Sequence, residues 1–284
     1  MAKEKDRWTS VVTSEISHFK MWWSEMWKDR YLIYLLFRKD FVSKYKQTAL
    51  GPFWVVLQPI MATFAFFFFG KMVNVSVGTV PPFLFYMLGT IVWSLTSTIF
   101  QKITQFLIES SALLTKVYVP KLSLLWSRVC VDILNFFVKL VLFLAILGYF
   151  IFFKNANASP NLWALFFPVV LFFQMLFAVG TGLLLSALTL RYRDIVNVIN
   201  FLVQSLLFVT PVLYPLSVVE DPKYQKLLLF NPLTEYAEFY RYAFLGEGFL
   251  DPFWLAYAFT IAVLAYVGGV ILLNRIEKVY ADVV

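Results

Sequence analysis

Charge is what this sequence has least of. Lys, Arg, Asp and Glu make up 14% of its 284 residues, against roughly a quarter in soluble domains, so a water-exposed surface of ordinary polarity is excluded. A single cysteine, Cys130, excludes an internal disulfide and leaves the redox compartment unreadable. A single histidine, His18, excludes a paired-histidine metal site, and neither metal nor cofactor is expected in this chain. There is no GxSxG nucleophile turn and no phosphate loop ending in GK[ST], which removes two common routes to hydrolysis and nucleotide binding. The first 40 residues are charged and lack a short apolar core followed by small residues. No cleaved secretory signal is therefore expected, and the first apolar span serves as the insertion signal.

Apolar length is what the sequence has in abundance. Hydrophobic residues reach 61%, and residues 47–70, 72–101, 155–190, 195–219 and 252–274 carry no charge at all. Each run matches or exceeds the roughly 20 residues that an α-helix needs to cross a bilayer's hydrocarbon core. The fold class expected is an all-α polytopic membrane protein with six transmembrane helices, over residues 53–77, 83–103, 121–153, 162–190, 195–210 and 253–274. Ten of the 24 basic residues fall within residues 1–46, and Arg191 and Arg193 crowd the short hairpin between spans four and five. Residues 217–252 instead carry Glu220, Asp221, Glu235, Glu238, Glu247 and Asp251 against Lys223, Lys226 and Arg241. Because Lys and Arg are retained on the cytoplasmic side, both termini are expected inside. The same bias accounts for the net charge of +7, so no nucleic-acid partner is expected.

Two regions depart from plain spans. In residues 1–46, a cytoplasmic N-terminal region, Trp8, Val12, Ile16, Phe19, Trp23 and Met26 recur at helical steps, and Trp22 and Trp27 widen that face. The pattern predicts an amphipathic interface helix lying among headgroups or packed on another protein. Residues 47–284 form the six-span domain. Within it, residues 211–251 are apolar but broken by Pro211, Pro215, Pro222 and Pro232. Asn231-Pro232 reads as a helix start and Gly246 as its stop. Irregular backbone at membrane depth has to be buried in protein or line a wet cavity. Re-entrant helices between spans five and six are expected, the alternative being an external surface loop.

Some residues invite specific roles. Arg128 and Asp132 lie four apart in span three and are expected to form a structural ion pair, with Lys139 two turns further along the same face. A proton relay through Asp132 is the sharper alternative. Gly180-Thr181-Gly182 is read as a close-packing patch in span four. Tyr214, Tyr236, Phe239 and Tyr240 cluster in the outer segment, where aromatic rings suit either sugar contact or an interfacial belt.

The most distinctive stretch is Arg38-Lys39-Asp40, then Lys44-Tyr45-Lys46-Gln47-Thr48-Ala49-Leu50-Gly51-Pro52-Phe53-Trp54 and Leu57-Gln58-Pro59. Together with Arg191-Tyr192-Arg193-Asp194-Ile195, Thr210-Pro211-Val212-Leu213-Tyr214 and Asn231-Pro232-Leu233, it resembles the type-2 ABC exporter permeases of O-antigen, teichoic acid and capsule export. The resemblance covers about residues 28–278. It implies a homodimer joined by two separate ABC ATPase subunits that bind MgATP, in a bacterial inner membrane. It further implies ATPase coupling through Trp27, Arg30, Glu109, Lys116 and Tyr118, and contact of Arg38, Lys39, Lys44, Lys46 and Arg193 with a lipid diphosphate at the inner entrance. The outer gate would use Tyr214, Tyr236, Phe239 and Tyr240. The expected function is the permease subunit of an exporter for undecaprenyl-diphosphate-linked polysaccharide, O-antigen first, with teichoic acid or capsule in the same class. A proton-coupled lipid-glycan flippase and a membrane glycosyltransferase are the readings from other classes.

Overall fold

A computed structural model describes residues 29–46, 48–114, 121–192 and 194–281. The amphipathic stretch within residues 1–28, together with Trp27, Lys116, Tyr118 and Arg193, lies outside the described residues. Among the described residues all regular structure is helical. The chain runs α1 (Arg30–Tyr45), α2 (Trp54–Met72), α3 (Pro82–Leu114), α4 (Lys121–Lys154), α5 (Phe167–Arg191), α6 (Ile195–Val209), α7 (Pro222–Leu229), α8 (Pro232–Leu245) and α9 (Pro252–Ala281). Short 3-10 turns at Gly51–Phe53, Leu162–Phe166 and Leu216–Val218 lead into or between them.

Among the described residues five helices are long and apolar enough to cross a membrane: those within Gly51–Met72, Pro82–Ser110, Leu122–Lys154, Leu162–Arg191 and Pro252–Arg275. This is a multi-pass membrane protein. The expected fifth span, α6, has 15 residues, about 22 Å at 1.5 Å per residue, which is shorter than a hydrocarbon core of roughly 30 Å. Pro211 supplies the reason, since it has no N–H to continue the ladder and excludes helical backbone at Thr210, whose ψ is 135°.

The expected internal loop at 104–120 is helical as far as Leu114. Ile103, Phe106 and Leu107 continue the buried stripe of α3, so the apolar period outlasts the first charged residues. That makes α3 the central helix. Two-thirds of its apolar window is buried, against 22% for α2 and α4. The outer helices turn large apolar side chains outward instead, including Met61, Phe64, Phe68 and Phe69 of α2 and Phe152 and Phe153 of α4, a surface suited to lipid.

The core is organised around α5, which packs between α3 and α9. Its glycines explain how closely. A Cβ on Gly180 would sit 2.3 Å from the Tyr266 backbone nitrogen of α9, and one on Gly182 would sit 2.8 Å from Cβ of Ile103 in α3. The Gly-Thr-Gly patch therefore admits one neighbouring helix at each glycine. A polar knot ties the same helices to α8. Gln174 Nε2 donates to Val92 O at 3.0 Å and Thr96 Oγ1 at 2.7 Å, and Tyr240 donates its hydroxyl to Gln174 Oε1 at 3.1 Å.

Helix α8 forms as its residues suggest. Asn231 accepts from Leu233 N at 3.1 Å, and Gly246 closes the helix in the left-handed region at φ 79°. It is no surface loop: Tyr236, Phe239, Tyr240 and Phe244 are buried, and α8 packs against α9, α3 and α5. The loop before α5 hooks onto its C-terminal end, where Ser159 N donates to Leu245 O and Asn161 N to Ala243 O.

Candidate functional site

The basic segment and the Gly-Pro turn meet the helical bundle at one place. After α1, Thr48 N and Oγ1 both donate to Tyr45 O, at 3.3 and 3.1 Å, and Gly51 N donates to Thr48 O. Gly51 has φ 52°, a left-handed conformation that glycine adopts without a Cβ penalty. Pro52 then sits inside the 3-10 turn that starts α2. The turn joins the end of α1 to the start of α2, and both helices pack against α4.

Between them lies a polar cavity of about 100 Å³. Lys44 and Tyr45 of α1, Trp54 and Gln58 of α2, Ser94 and Thr98 of α3, and Asp132, Asn135 and Lys139 of α4 line it. Tyr45 donates its hydroxyl to Asn135 Oδ1 at 3.0 Å, and Lys139 Nζ donates to Ser94 Oγ at 2.9 Å. Burial raises the Tyr45 phenol above its usual pKa, with the Asn135 hydrogen bond opposing. An adjoining cavity of about 390 Å³ shares Lys44 and is lined also by Asp40, Ser43, Lys102, Glu109 and Arg128.

The expected Arg128–Asp132 pair is not formed. Asp132, 4% exposed, binds Lys102 Nζ at 2.5 Å, and Arg128 binds Glu109 at 2.5 Å. Both partners come from α3, which runs alongside α4 and presents a charge opposite each residue. A cross-helix partner is invisible to spacing within one helix. Asp132 Oδ2 has no hydrogen-bond partner among the described residues.

Of the other residues expected at the inner end, Arg38, Lys39 and Lys46 are exposed and line neither cavity. Arg30 is exposed at the start of α1, where Ser123 of α4 donates to Asp29 Oδ2 at 2.9 Å. Spacing within the chain pointed to Lys44 but not to Lys102 or Lys139 as companions, because the three lie on different helices.

The end of the bundle expected to face outward has a different chemistry. Arg241 and Glu238 of α8 are 1% and 2% exposed and pair at 2.8 Å. The Arg241 guanidinium also donates to Pro211 O at 2.5 Å and Val212 O at 2.7 Å, and lies 3.8 Å from the centroid of the Phe85 ring. Glu238 Oε2 accepts from Phe249 N at 3.0 Å. One ion pair thus holds α3, the 211–212 turn, α8 and the following loop together beside a cavity of about 570 Å³. Its signal in the sequence was an Arg three residues after a Glu, read there only as external charge.

Tyr236, Phe239 and Tyr240, expected at an outer gate, are core residues here, and Tyr236 donates its hydroxyl to Ala258 O at 3.1 Å. Tyr214 alone is half-buried, donating to Val209 O at 3.2 Å. Other acids of the outer segment serve the backbone. Asp221 caps α7 through Lys223 N, Asp251 accepts from Phe253 N, and Glu247 accepts from Thr79 N.

Glu235 is the exception. It is fully buried in α8, outside the five long spans, and neither carboxyl oxygen has a partner among the described residues. Burial, then the charges of Glu238 and Asp251, push its pKa from 4.5 to about 8. The folded protein keeps this proton to a higher pH than the unfolded chain. The contribution of Glu235 to stability is therefore fully present below about pH 4.5 and is lost as pH rises through about 8. Glu235→Gln is expected to flatten that decline and to raise the melting temperature above wild type at pH 8 and beyond. Thermal unfolding of the detergent-solubilised protein across pH is the measurement, and a wild-type-like slope in the variant contradicts it.

The family described as ABC-2 type transporter matches residues 31–245. The chain is 28% identical over 258 residues to the O-antigen export system permease protein RfbA of Myxococcus xanthus, covering 89% of this chain and 96% of that protein. It is 23% identical over 260 residues to an O-antigen export system permease protein RfbA of Klebsiella pneumoniae, covering 89% and 94% respectively. A second Klebsiella pneumoniae protein of that name is 22% identical over 259 residues, again covering 89% and 94%.

Proposed function

The chain belongs to the ABC-2 type transporter family, and from that membership we propose that it is the permease subunit of an ATP-driven exporter of undecaprenyl-diphosphate-linked polysaccharide, with O-antigen as the cargo. Near full-length similarity to three proteins named as O-antigen export permeases supports the cargo class. The observation that carries the reading is the inner polar cavity. A transporter of a lipid-linked anion needs cations where the cytoplasmic segment meets the first span, and Lys44 lies there, lining both the cavity that holds Lys139 and the adjoining one that holds Lys102. Arg38, Lys39, Lys46 and Arg193 would add a surface field that gathers an anionic headgroup.

The ATPase sits on separate subunits in this reading, two for a homodimer of permeases, and they bind the MgATP. Arg30 at the start of α1 and Glu109 near the end of α3 are the described residues assigned to that contact, with Trp27, Lys116 and Tyr118 beside them in sequence. The membrane arrangement proposed has both termini cytoplasmic in a bacterial inner membrane. Helix α6 makes a sixth, short crossing, tolerated by local thinning or tilt of its neighbours, and α7 and α8 re-enter from the outer side. Tyr214 remains available there for glycan contact, while Tyr236, Phe239 and Tyr240 hold α8 in place.

Two other classes have less support. A proton relay through Asp132 needs that carboxylate free to exchange its proton, yet it is bonded to Lys102. A glycosyltransferase needs accessible acids free to act, and in residues 217–252 Glu235 and Glu238 are buried while Asp221, Glu247 and Asp251 are bonded to backbone N–H groups.

The test is genetic and biochemical together. Deleting the chain is expected to trap lipid-linked polysaccharide inside the cell and to remove it from the surface, and the tagged protein is expected to purify with an ABC ATPase. Purification alone, with surface polysaccharide intact in the deletion strain, sinks the reading.

A further inference from the structure

We propose that the inner cavity between α1, α2, α3 and α4 is a binding site for a phosphoryl anion, with Lys44 and Lys139 as its two ligating ammonium groups. The inference rests on the export reading for its biological cargo, but its chemistry comes from the cavity. Lys102 stands in the adjoining cavity beside Asp40, and beside Glu109 and Arg128, which pair with each other, whereas Lys44 and Lys139 line this space with one carboxylate, Asp132. That carboxylate is already bonded to Lys102. Lys139 projects from a helix long and apolar enough to span a membrane, and its bond is to Ser94 Oγ rather than to an acid. Among the described residues it has no carboxylate within salt-bridge distance.

A desolvated ammonium without a counter-charge is costly, more so inside a membrane segment. Asp132, which lines the same space, is shared with Lys102 and offsets that charge only in part, and the helix next to it adds another cation in Lys44. An arriving anion removes the imbalance. The cavity, about 100 Å³, holds a few waters or one tetrahedral oxyanion. Its rim also carries the Thr98 hydroxyl, the Gln58 amide and Trp54, neutral groups of the kind that complete an oxyanion's shell. The adjoining larger cavity, reached past Lys44, gives the anion its route in. Arg38, Lys39 and Lys46 line neither space and serve at most as an outer field.

The phosphoryl group has two sources, a membrane lipid diphosphate or a free anion from the cytoplasm. Calorimetric titration of the purified full chain in phosphatidylcholine nanodiscs separates them, with inorganic diphosphate, farnesyl diphosphate and farnesol as probes. Saturable binding of a diphosphate, but not of farnesol, is expected. Farnesyl diphosphate binding more tightly than inorganic diphosphate identifies the lipid source, and equal affinity identifies the free anion. Lys139→Gln and Lys44→Gln are each expected to weaken binding about tenfold or more, since a charge-assisted hydrogen bond is lost. Lys139→Arg keeps the charge and is expected to retain binding, which guards against a folding defect. Lys71→Gln, an exposed cation at the far end of α2, is expected to change nothing. No saturable diphosphate binding by the wild type, or equal binding by Lys139→Gln, overturns the site. Export has its own readout: a deletion strain with normal surface polysaccharide removes the cargo reading and leaves a measured diphosphate site standing.

Discussion

Arg241→Met is expected to release the outer segment and lower the melting temperature by about 10 °C. The guanidinium is almost wholly buried and satisfies three acceptors at once: Glu238, Pro211 O and Val212 O. Removing one member of a buried pair costs about 3–5 kcal/mol, because the other charge stays buried without compensation. Each backbone carbonyl left without a donor adds about 1–3 kcal/mol. Contact with the Phe85 face is lost as well. Relaxation and water entry return part of this, and about 3–5 kcal/mol corresponds to roughly 10 °C in a protein of this size. Arg241→Met combined with Glu238→Leu is expected to recover part of the loss, since two apolar side chains leave no orphaned charge. Thermal shift in detergent reads all three proteins. A single variant within a degree or two of wild type, or a double variant worse than the single, contradicts the assignment.

Gly180→Ala is expected to be nearly as damaging, although it adds a single methyl group. Its Cβ would meet the backbone of α9 at 2.3 Å from Tyr266 N, 2.4 Å from Ala265 C and 2.6 Å from Tyr266 Cα. Backbone atoms cannot step aside as a side-chain tip can, so α5 and α9 must separate along the most extensive helix interface in the fold. Gly269 sits opposite, with a virtual Cβ 2.7 Å from Gly180 O, so the close approach is reciprocal. Overpacking costs about 1–3 kcal/mol where side chains can yield, and more where they cannot. Gly148→Ala is the matched control. It lies in α4 with nothing within 4 Å of a virtual Cβ, and is expected to be neutral or to stabilise by up to about 1 kcal/mol. Equal yields of folded, monodisperse protein from the two variants would count against the packing argument.

The sequence was legible wherever one segment carried its own explanation. Charge-free runs located the long helices, and their ends fell close to the expected residues because Gly, Pro and Asn act locally. Asn231 caps α8 through Leu233 N, and Gly246 stops it in a left-handed conformation. The Gly180-Thr181-Gly182 patch was legible for the same reason, since small residues in a membrane helix serve close packing. Boundaries failed where packing prolonged a helix beyond its apolar run. Phe106 and Leu107 are buried beside α4, so α3 continues through a stretch that charge alone marked as a loop.

The site was legible only in part. The residues Lys44, Gly51 and Trp54 of the motif build one wall of the cavity between α1, α2, α3 and α4 or the turn that shapes it. Its companions were not legible, because Lys102 and Lys139 stand on helices separated from Lys44 by dozens of residues. Arg128 and Asp132 have the spacing of a pair and were read as one, but α3 offers each a closer opposite charge. The outer aromatic cluster misled in a similar way. Tyr236 and Tyr240 carry hydroxyls that suggest a wet surface, and those hydroxyls instead bond to Ala258 O and Gln174 inside the bundle.

What the sequence by itself determined is what depends on neighbours along the chain: the membrane class, the helix ends, the turn at Gly51-Pro52 and the family. Those follow from hydropathy, caps and backbone preference, which act over one or two helical turns. Only the tertiary structure decided which charges meet, which tyrosines are core, and that Arg241 is buried with Glu238 while Lys139 bonds to Ser94. Those outcomes depend on the rotation and depth of each helix against the others. Such offsets are set by close packing at places like Gly180 and Gly182, not by any single segment.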